Sequence, residues 1–260
     1  MKIIILAAGQ GTRLRPLTDK CPKCMVEVKG KSIIDRQIAS INSCGINDED
    51  IYIVTGYCGA VLEEHFKGRE IHFIHNKEFD KTNMVCSLMC ASDVMKSDED
   101  IIVSYGDIIY NADVFQKILL SKEQLSVIVD DGWYDYWSDR CENPLSDAES
   151  LIYDELDNLV EIGQKTNDLS RVQSQYIGLM RFQKDGITKV LNIAEEAKLR
   201  SSVGKKLWRT TRTYQKMYMT DLLQGLIDEG NKLKAVHINR GWYEIDNCDD
   251  LGVVEKQLAE

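Results

Sequence analysis

Residues Met1–Met25 read MKIIILAAGQGTRLRPLTDKCPKCM, and the order of residue types in this stretch decides the fold. Ile3-Ile4-Ile5-Leu6 is a short uninterrupted apolar run, the pattern of a parallel strand buried on both faces. It stops at Ala7-Ala8-Gly9-Gln10-Gly11, and Thr12, Arg13, Arg15 and Lys23 follow. Small residues let backbone amides approach a ligand closely, and cations immediately after them favour an anionic guest of the polyphosphate type. A Walker-type loop would close a wider glycine frame with Lys-Ser or Lys-Thr, whereas Thr12-Arg13 follows Gly11 here. A dinucleotide-binding loop would need a small residue where Leu14 stands and an acid ending the second strand, whereas Asp35 sits in a helical pattern.

Outward from the loop, strand and helix patterns alternate. Ser32–Cys44 has helical spacing and stops at Gly45; Ile51–Thr55 reads as a strand, Gly59–Phe66 as a helix and Ile71–His75 as a third strand. Thr82 or Asn83 caps a helix predicted to run to Met95, and Ile101–Ser104 forms a strand leading into Tyr105-Gly106-Asp107. This alternation predicts an α/β fold, a Rossmann-like mixed but mostly parallel sheet flanked by helices. Leu125–Asp130, Leu151–Tyr153, Leu159–Ile162 and Gln175–Phe182 are strand-like, and they are expected as antiparallel hairpins inserted beside the main sheet. Gly186–Leu199 and Met219–Ile227 are helical patterns, Leu233–Ile238 and Gly241–Ile245 are strand-like, and a helix closes the chain. With no linker or repeat, residues 1–260 are expected as a single domain: a core (1–124), the hairpins (125–182) and a helical closing part (183–260).

A chain of 260 residues can bury a substantial core, and 43% hydrophobic with 28% charged residues is the composition of a folded protein. The net charge of −10 argues against nucleic acid or an anionic membrane as the main partner, while leaving room for a local cluster of cations. No apolar segment approaches the length of a membrane span, and the first strand is too short for a signal peptide, so a cytoplasmic location is expected. Free thiols are then expected for the eight cysteines, and Cys21-Pro22-Lys23-Cys24 lacks the second pair that zinc spacing requires. The four histidines show no ligand spacing. The sequence leaves an oligomer open.

Ligands in such folds bind at the carboxyl edge of the parallel strands, which makes Asp107 a candidate. Asp246, after Tyr243-Glu244-Ile245, follows a strand-like piece in the same way. Magnesium uses one or two carboxylates plus substrate phosphates, so Asp107 and Asp246 could flank one Mg2+ ion.

Leu6-Ala7-Ala8-Gly9-x-Gly11-Thr12-Arg13-Leu14-x-Pro16-Leu17-Thr18, followed by Pro22-Lys23, resembles the signature loop of the nucleotidyltransferases that activate sugar phosphates and phosphocholine. Tyr105-Gly106-Asp107 looks like that family's first metal motif, and Glu244-Ile245-Asp246 like its second. Ile162-Gly163-Gln164-Lys165 and Gln175-Tyr176-Ile177-Gly178 resemble the acceptor-side segments, and Tyr218-Met219-Thr220-Asp221 resembles a family helix motif. Lys81-Thr82-Asn83-Met84-Val85, the acid-aromatic run Asp131–Trp137 and Asn143-Pro144-Leu145 resemble the phosphoglutamine and choline-phosphate cytidylyltransferases, the former more closely. The sugar enzymes often carry proline where Thr166 follows Lys165.

The resemblance implies transfer of CMP from CTP to a small phosphorylated acceptor, phosphoglutamine favoured over a phosphocholine-like compound, in surface polysaccharide biosynthesis. An already ionised acceptor phosphate attacks the α-phosphorus and needs no general base. Lys23 and Arg13 are the implied catalytic residues, stabilising the triphosphate and departing pyrophosphate. Leu6, Ala7, Ala8, Gly9, Gly11, Thr12, Gly56, Asn83 and Asp107 would bind the nucleotide. The hairpin insertion would bind the acceptor, through Lys165, Gln175, Tyr176 and Glu244, with Trp133, Trp137 and Trp242 offering ring faces to a cationic amine. The alternatives are a sugar-1-phosphate nucleotidyltransferase and an inactive nucleotide-binding regulator on the same fold.

Overall fold

The computed structural model describes residues 1–258. Strand β1 (Lys2–Ala7) leads through the glycine loop to a small hairpin, β2 (Glu27–Val28) and β3 (Lys31–Ser32), and then to helix α1 (Ile33–Ser43). Ser32 caps α1 by accepting the Asp35 amide at 3.1 Å, and Gly45 ends it with a positive φ of 86°. Strand β4 (Ile51–Thr55), helix α2 (Gly59–His65) and strand β5 (His72–His75) follow as expected. The helix expected from Asn83 to Met95 is instead two, α3 (Met84–Cys90) and α4 (Ser92–Met95), because Ala91 leaves helical geometry at φ −92°, ψ 15°. Strand β6 (Ile101–Tyr105) and the short β7 (Ile108–Tyr110) precede helix α5 (Ala112–Leu119).

Next come β8 (Leu125–Asp130), α6 (Trp133–Arg140), β9 (Glu149–Tyr153), β10 (Leu159–Lys165), β11 (Gln175–Phe182) and the long α7 (Lys184–Ser202). The chain finishes with α8 (Met219–Asp228), β12 (Lys234–Ile238), β13 (Trp242–Glu244) and α9 (Cys248–Gln257). The main sheet has seven strands in the order β12-β8-β11-β6-β1-β4-β5. β1 pairs in parallel with both β4 and β6, β4 with β5, and β12 with β8. Only β11 runs against its neighbours β6 and β8. The mostly parallel α/β architecture is therefore as expected, but β8 and β11 are central strands of the main sheet. Of the hairpins expected for residues 125–182, only β9–β10 stands apart as its own two-stranded sheet.

The sheet is covered on both faces. Along β1, Ile4 and Leu6 enter one core cluster while Ile3, Ile5 and Ala7 enter the other. Ile3, Ile4 and Ile5 are fully buried, each contributing about 1.5–3 kcal/mol by transfer from water. This double-sided burial is why β1 reads as a continuous apolar run rather than an alternating one. Within β11, Gly178 adopts φ +86°, and a Cβ there would lie 2.5 Å from Tyr105 Cδ2. The glycine permits the register shift between Tyr176 and Met180 where β11 pairs with β8.

A second tie is polar. Arg140, at the end of α6, is 5% exposed and donates to Glu244 of β13 at 2.9 Å and to Asp250 of α9 at 2.9 and 3.2 Å. Three elements that share no strand pairing are thereby fastened together.

Two stability predictions follow from these contacts. Gly178→Ala should destabilise the fold by about 2–4 kcal/mol through backbone strain and overpacking, read as a lower urea midpoint with the m-value retained. Arg140→Met should cost about 3–5 kcal/mol, because it removes the charged partner of the buried Asp250 and of Glu244, and the same urea titration measures it.

Candidate active site

The loop after β1 turns on Gly11, whose φ is +60° and whose missing Cβ would come within 2.9 Å of Lys23 Cβ. A side chain at residue 11 would therefore both strain the backbone and displace Lys23. Thr18 Oγ1 donates to the Gly11 carbonyl at 2.8 Å and closes the loop on itself. Lys23 opens the short helical turn Lys23–Met25 and reaches across to the far side of the sheet edge.

The partners of Lys23 are two carboxylates distant in sequence. Asp107 follows β6, and Asp246 lies two residues beyond the end of β13. The antiparallel pairing of β7 with β13 places Glu244 opposite Ile108, and the Ile245 amide donates to the Asp107 carbonyl at 3.1 Å. That pairing brings Asp107 and Asp246 to opposite sides of one ammonium. Lys23 Nζ lies 2.7 Å from Asp107 Oδ2 and 2.5 Å from Asp246 Oδ1. Arg13 Nη2 adds a contact to Asp246 Oδ1 at 3.0 Å.

The charges perturb one another. Burial works against the Lys23 ammonium, yet the two aspartates outweigh it and hold its pKa above the ordinary lysine value. Burial likewise opposes ionisation of Asp246, but Lys23 and Arg13 keep its pKa below the usual carboxylate range. Glu244 is pushed up to about 8 by burial and by the neighbouring Asp246.

Two adjoining cavities share this cluster. The first, of about 310 Å³, is bounded by the loop from Leu6 through Ala7, Ala8, Gly9, Gly11, Thr12 and Arg13, and by Lys23, Asn83, Asp107 and Asp246. Phe79, Met84 and Ser87 are among the residues that also line it. The second, of about 500 Å³, is lined by Arg13, Asn83, Asp107 and Asp246, which it shares with the first, and by Lys165, Gln175, Tyr176, Glu244 and Trp137. All but three of the candidate residues read from the sequence thus border one cavity or the other.

The exceptions are Gly56, Trp133 and Trp242. Gly56 stands behind the loop, where the next amide, that of Tyr57, donates to the Ala8 carbonyl at 3.1 Å. Trp133 and Trp242 are core residues, 3% and 1% exposed, packed edge-on against Trp137 and Tyr136 respectively. The Trp242 indole N–H is satisfied by Asp130 at 2.8 Å. These rings are held inside by apolar packing, so they offer no face to an acceptor. Asp130 and Asp131 are similarly occupied, by Arg240 and by Ser174 and His237.

Gln175 borders the second cavity, but its amide is spent on the backbone. It accepts from the Glu149 amide at 3.3 Å and donates to the Glu149 carbonyl at 2.7 Å. Sequence reasoning missed Asp147, Glu149 and Arg212, all on the wall of the second cavity. The first two lie in a turn and at a strand start, and Arg212 lies in an irregular segment, so no periodicity singled them out.

The donors fit a divalent ion. Asp107 Oδ1 is buried without a hydrogen-bond partner, an arrangement that a ligand or ion in the adjoining cavity would relieve. Among the described residues no group of three or more His, Cys, Asp or Glu side chains converges as a closed metal cage. A pair of carboxylates completed by phosphate oxygens is the arrangement hard divalent ions take on nucleotides. All eight cysteines are free. Among the described residues no helix is long and apolar enough to cross a membrane.

Known proteins share this architecture. Residues 3–174 match the family described as the MobA-like NTP transferase domain. The CTP:phosphoglutamine cytidylyltransferase of Campylobacter jejuni is 42% identical over 98% of this chain and 100% of its own length. Among solved structures, the CTP:phosphocholine cytidylyltransferase of Streptococcus pneumoniae superposes with a TM-score of 0.71 at 21% identity, over 99% of both chains. The inositol-1-phosphate CTP transferase of T. maritima gives 0.71 at 19% identity, over 100% of this chain and 98% of its own. At such identities these two structures speak to the fold alone. The fold, the loop and the extent of the match agree: the chain belongs to the family of the MobA-like NTP transferase domain and is a nucleotidyltransferase.

Proposed function

We propose that the protein transfers CMP from CTP to phosphoglutamine with release of pyrophosphate, as a step in surface polysaccharide biosynthesis. The observation that carries this reading is the meeting of Lys23, Arg13, Asp107 and Asp246 where the two cavities adjoin. The first cavity takes the nucleotide and the second takes the acceptor, which leaves the α-phosphate facing the acceptor phosphate across the shared wall. The 42% identity to a CTP:phosphoglutamine cytidylyltransferase over nearly the full chain supports this choice of substrates.

An acceptor phosphate oxygen forms a new bond to the α-phosphorus, and the bond from that phosphorus to the bridging oxygen of the β-phosphate breaks. Pyrophosphate carries away the electron pair. An ionised acceptor needs no proton removed, so the protein's work is alignment and charge stabilisation. The loop from Ala8 to Thr12 cradles the phosphates, and Arg13 and Lys23 neutralise charge that develops on the departing group. Lys23 remains charged because its pKa is held above the ordinary lysine value. Asp107 and Asp246 would hold the divalent ion, Mg2+ in this reading, which would supply Lewis-acid polarisation of the phosphate oxygens. Lys165, which lines the second cavity but not the first, meets the acceptor phosphate.

The test is a panel of the four ribonucleoside triphosphates against phosphoglutamine, phosphocholine and glucose 1-phosphate, scored by pyrophosphate release with magnesium. CTP with phosphoglutamine should give the highest kcat/KM. Release with the hexose phosphate alone would sink the acceptor assignment, and no release with any pair would leave an inactive homologue. Lys23→Ala should lower kcat by about 100- to 1,000-fold while the circular dichroism spectrum is unchanged; near-normal turnover would remove Lys23 from the mechanism. Lys165→Ala should raise the acceptor KM by about tenfold and leave that for CTP unaltered.

A further inference from the structure

The second cavity carries two opposite charges that the phosphate chemistry above does not use. Arg212 lies over the Tyr218 ring, its guanidinium carbon 3.7 Å from the ring centroid. Its Nη1 donates to both oxygens of Asp221, at 3.0 and 3.2 Å, and to Thr210 Oγ1 at 3.3 Å. Asp221 is itself 2% exposed and accepts the Tyr218 amide at 2.9 Å, so the base on which Arg212 sits is rigid. Every hydrogen bond that Arg212's side chain makes within the protein uses Nη1. Nη2 and Nε remain available on a group that borders the cavity.

Glu149 is the complementary charge. Both its backbone groups are clamped by the Gln175 amide, at 3.3 and 2.7 Å, which fixes where its side chain starts. Its carboxylate, half-buried on the cavity wall, accepts no hydrogen bond and joins no ion pair within 4.0 Å among the described residues. Lys165 and Arg212 act on it electrostatically from nearby, although burial still pushes its carboxyl upward. A preformed guanidinium edge and an unpaired carboxylate in one cavity, with Lys165 for a phosphate, make a three-point site.

We infer that Arg212 and Glu149 are specificity residues that recognise the α-carboxylate and α-ammonium of an amino-acid acceptor, Arg212 taking the carboxylate and Glu149 the ammonium. This rests on the function proposed above and narrows its acceptor to a zwitterion bearing a phosphate. A phosphorylated amine without a carboxylate leaves the Arg212 edge unused. A hexose phosphate leaves both charges unpaired, and buried polar groups left without partners are what reject a near analogue most strongly.

The experiment compares phosphoglutamine with its decarboxylated analogue, using saturating CTP and magnesium, in the wild-type enzyme and in Arg212→Gln. Wild type should prefer phosphoglutamine by about ten- to a hundredfold in kcat/KM, the range of one charge-assisted contact, and in the variant that ratio should collapse towards one. If Arg212 served the phosphate, or only the stability of α8, both acceptors would fall together and the ratio would persist; that result overturns the inference. Arg212→Lys keeps a cation beside Asp221 and loses the planar edge, so it should show the same collapse with the fold retained. Glu149→Gln disturbs no side-chain contact and should remove the preference for phosphoglutamine over its Nα-acetyl derivative; a preference kept in full would eliminate Glu149. Transfer by the wild-type enzyme to neither phosphoglutamine nor its analogue would instead overturn the function on which the inference rests.

Discussion

The ammonium of Lys23, held between Asp107 and Asp246, is the interaction on which the candidate site depends. It joins three separate parts of the chain: the turn after the glycine loop, the end of β6 and the segment after β13. Without the cation, two carboxylates brought together at a buried sheet edge would repel each other. With it, that repulsion is balanced, and the pKa of Asp246 is held below the usual carboxylate range. The sheet makes the approach unavoidable, because β7 and β13 pair in a register that sets Glu244 opposite Ile108. A one-residue slip would turn Glu244 to the other face and carry Asp246 away with it.

This local balance explains how an acidic protein can be built to receive a polyphosphate. The net charge of −10 acts over the whole surface and is screened within about 8–10 Å at physiological salt. Within the cavities the nearest charges decide, and there Arg13, Lys23, Lys165 and Arg212 face the bound space. The acidic neighbours Glu149 and Glu244 lie on the second cavity alone. A triphosphate therefore meets cations and amides at the loop, while an acceptor carrying both signs of charge meets both signs of partner.

Much of this was legible in the sequence because it is local. The loop from Leu6 to Lys23 and the strand-end Asp107 are written in contiguous residues, and the burial of β1 on both faces shows as an unbroken apolar run. The positions of β8 and β11 were not legible. Both are buried along nearly their whole length, yet strand character alone does not name a partner, and only long-range pairing places antiparallel β11 between β6 and β8. Trp133 and Trp242 read wrongly for a related reason, since aromatics beside acids look alike whether they line a pocket or pack against one another. Arg212 and Glu149 had no pattern to betray them. What marks them is a cation on a rigid base and a carboxylate without a partner, and both are properties of the folded chain.

The position of Asp246 shows how far the precision of such a site depends on groups outside it. The ladder of β13 ends at Glu244, so strand pairing brings Asp246 near Lys23 but does not by itself fix its backbone. Instead Asp250 Oδ2 accepts the amides of Asp246 and Asn247, at 2.9 and 3.2 Å, and Arg140 in turn grips Asp250. A buried ion pair of this kind is poor evidence for net stability, because desolvation offsets most of its attraction. Its directional bonds are another matter. They fix the Asp246 backbone to a buried arginine that reaches the site from α6, and Glu244 Oε2 accepts from that same arginine at 2.9 Å. An apolar replacement of equal volume could fill the space, but it would leave Asp246 to find its own position opposite Lys23. For chemistry that works by alignment, a placement error near 1 Å costs about a hundredfold in rate, and that loss is a stronger reason than stability for so much buried charge behind one carboxylate.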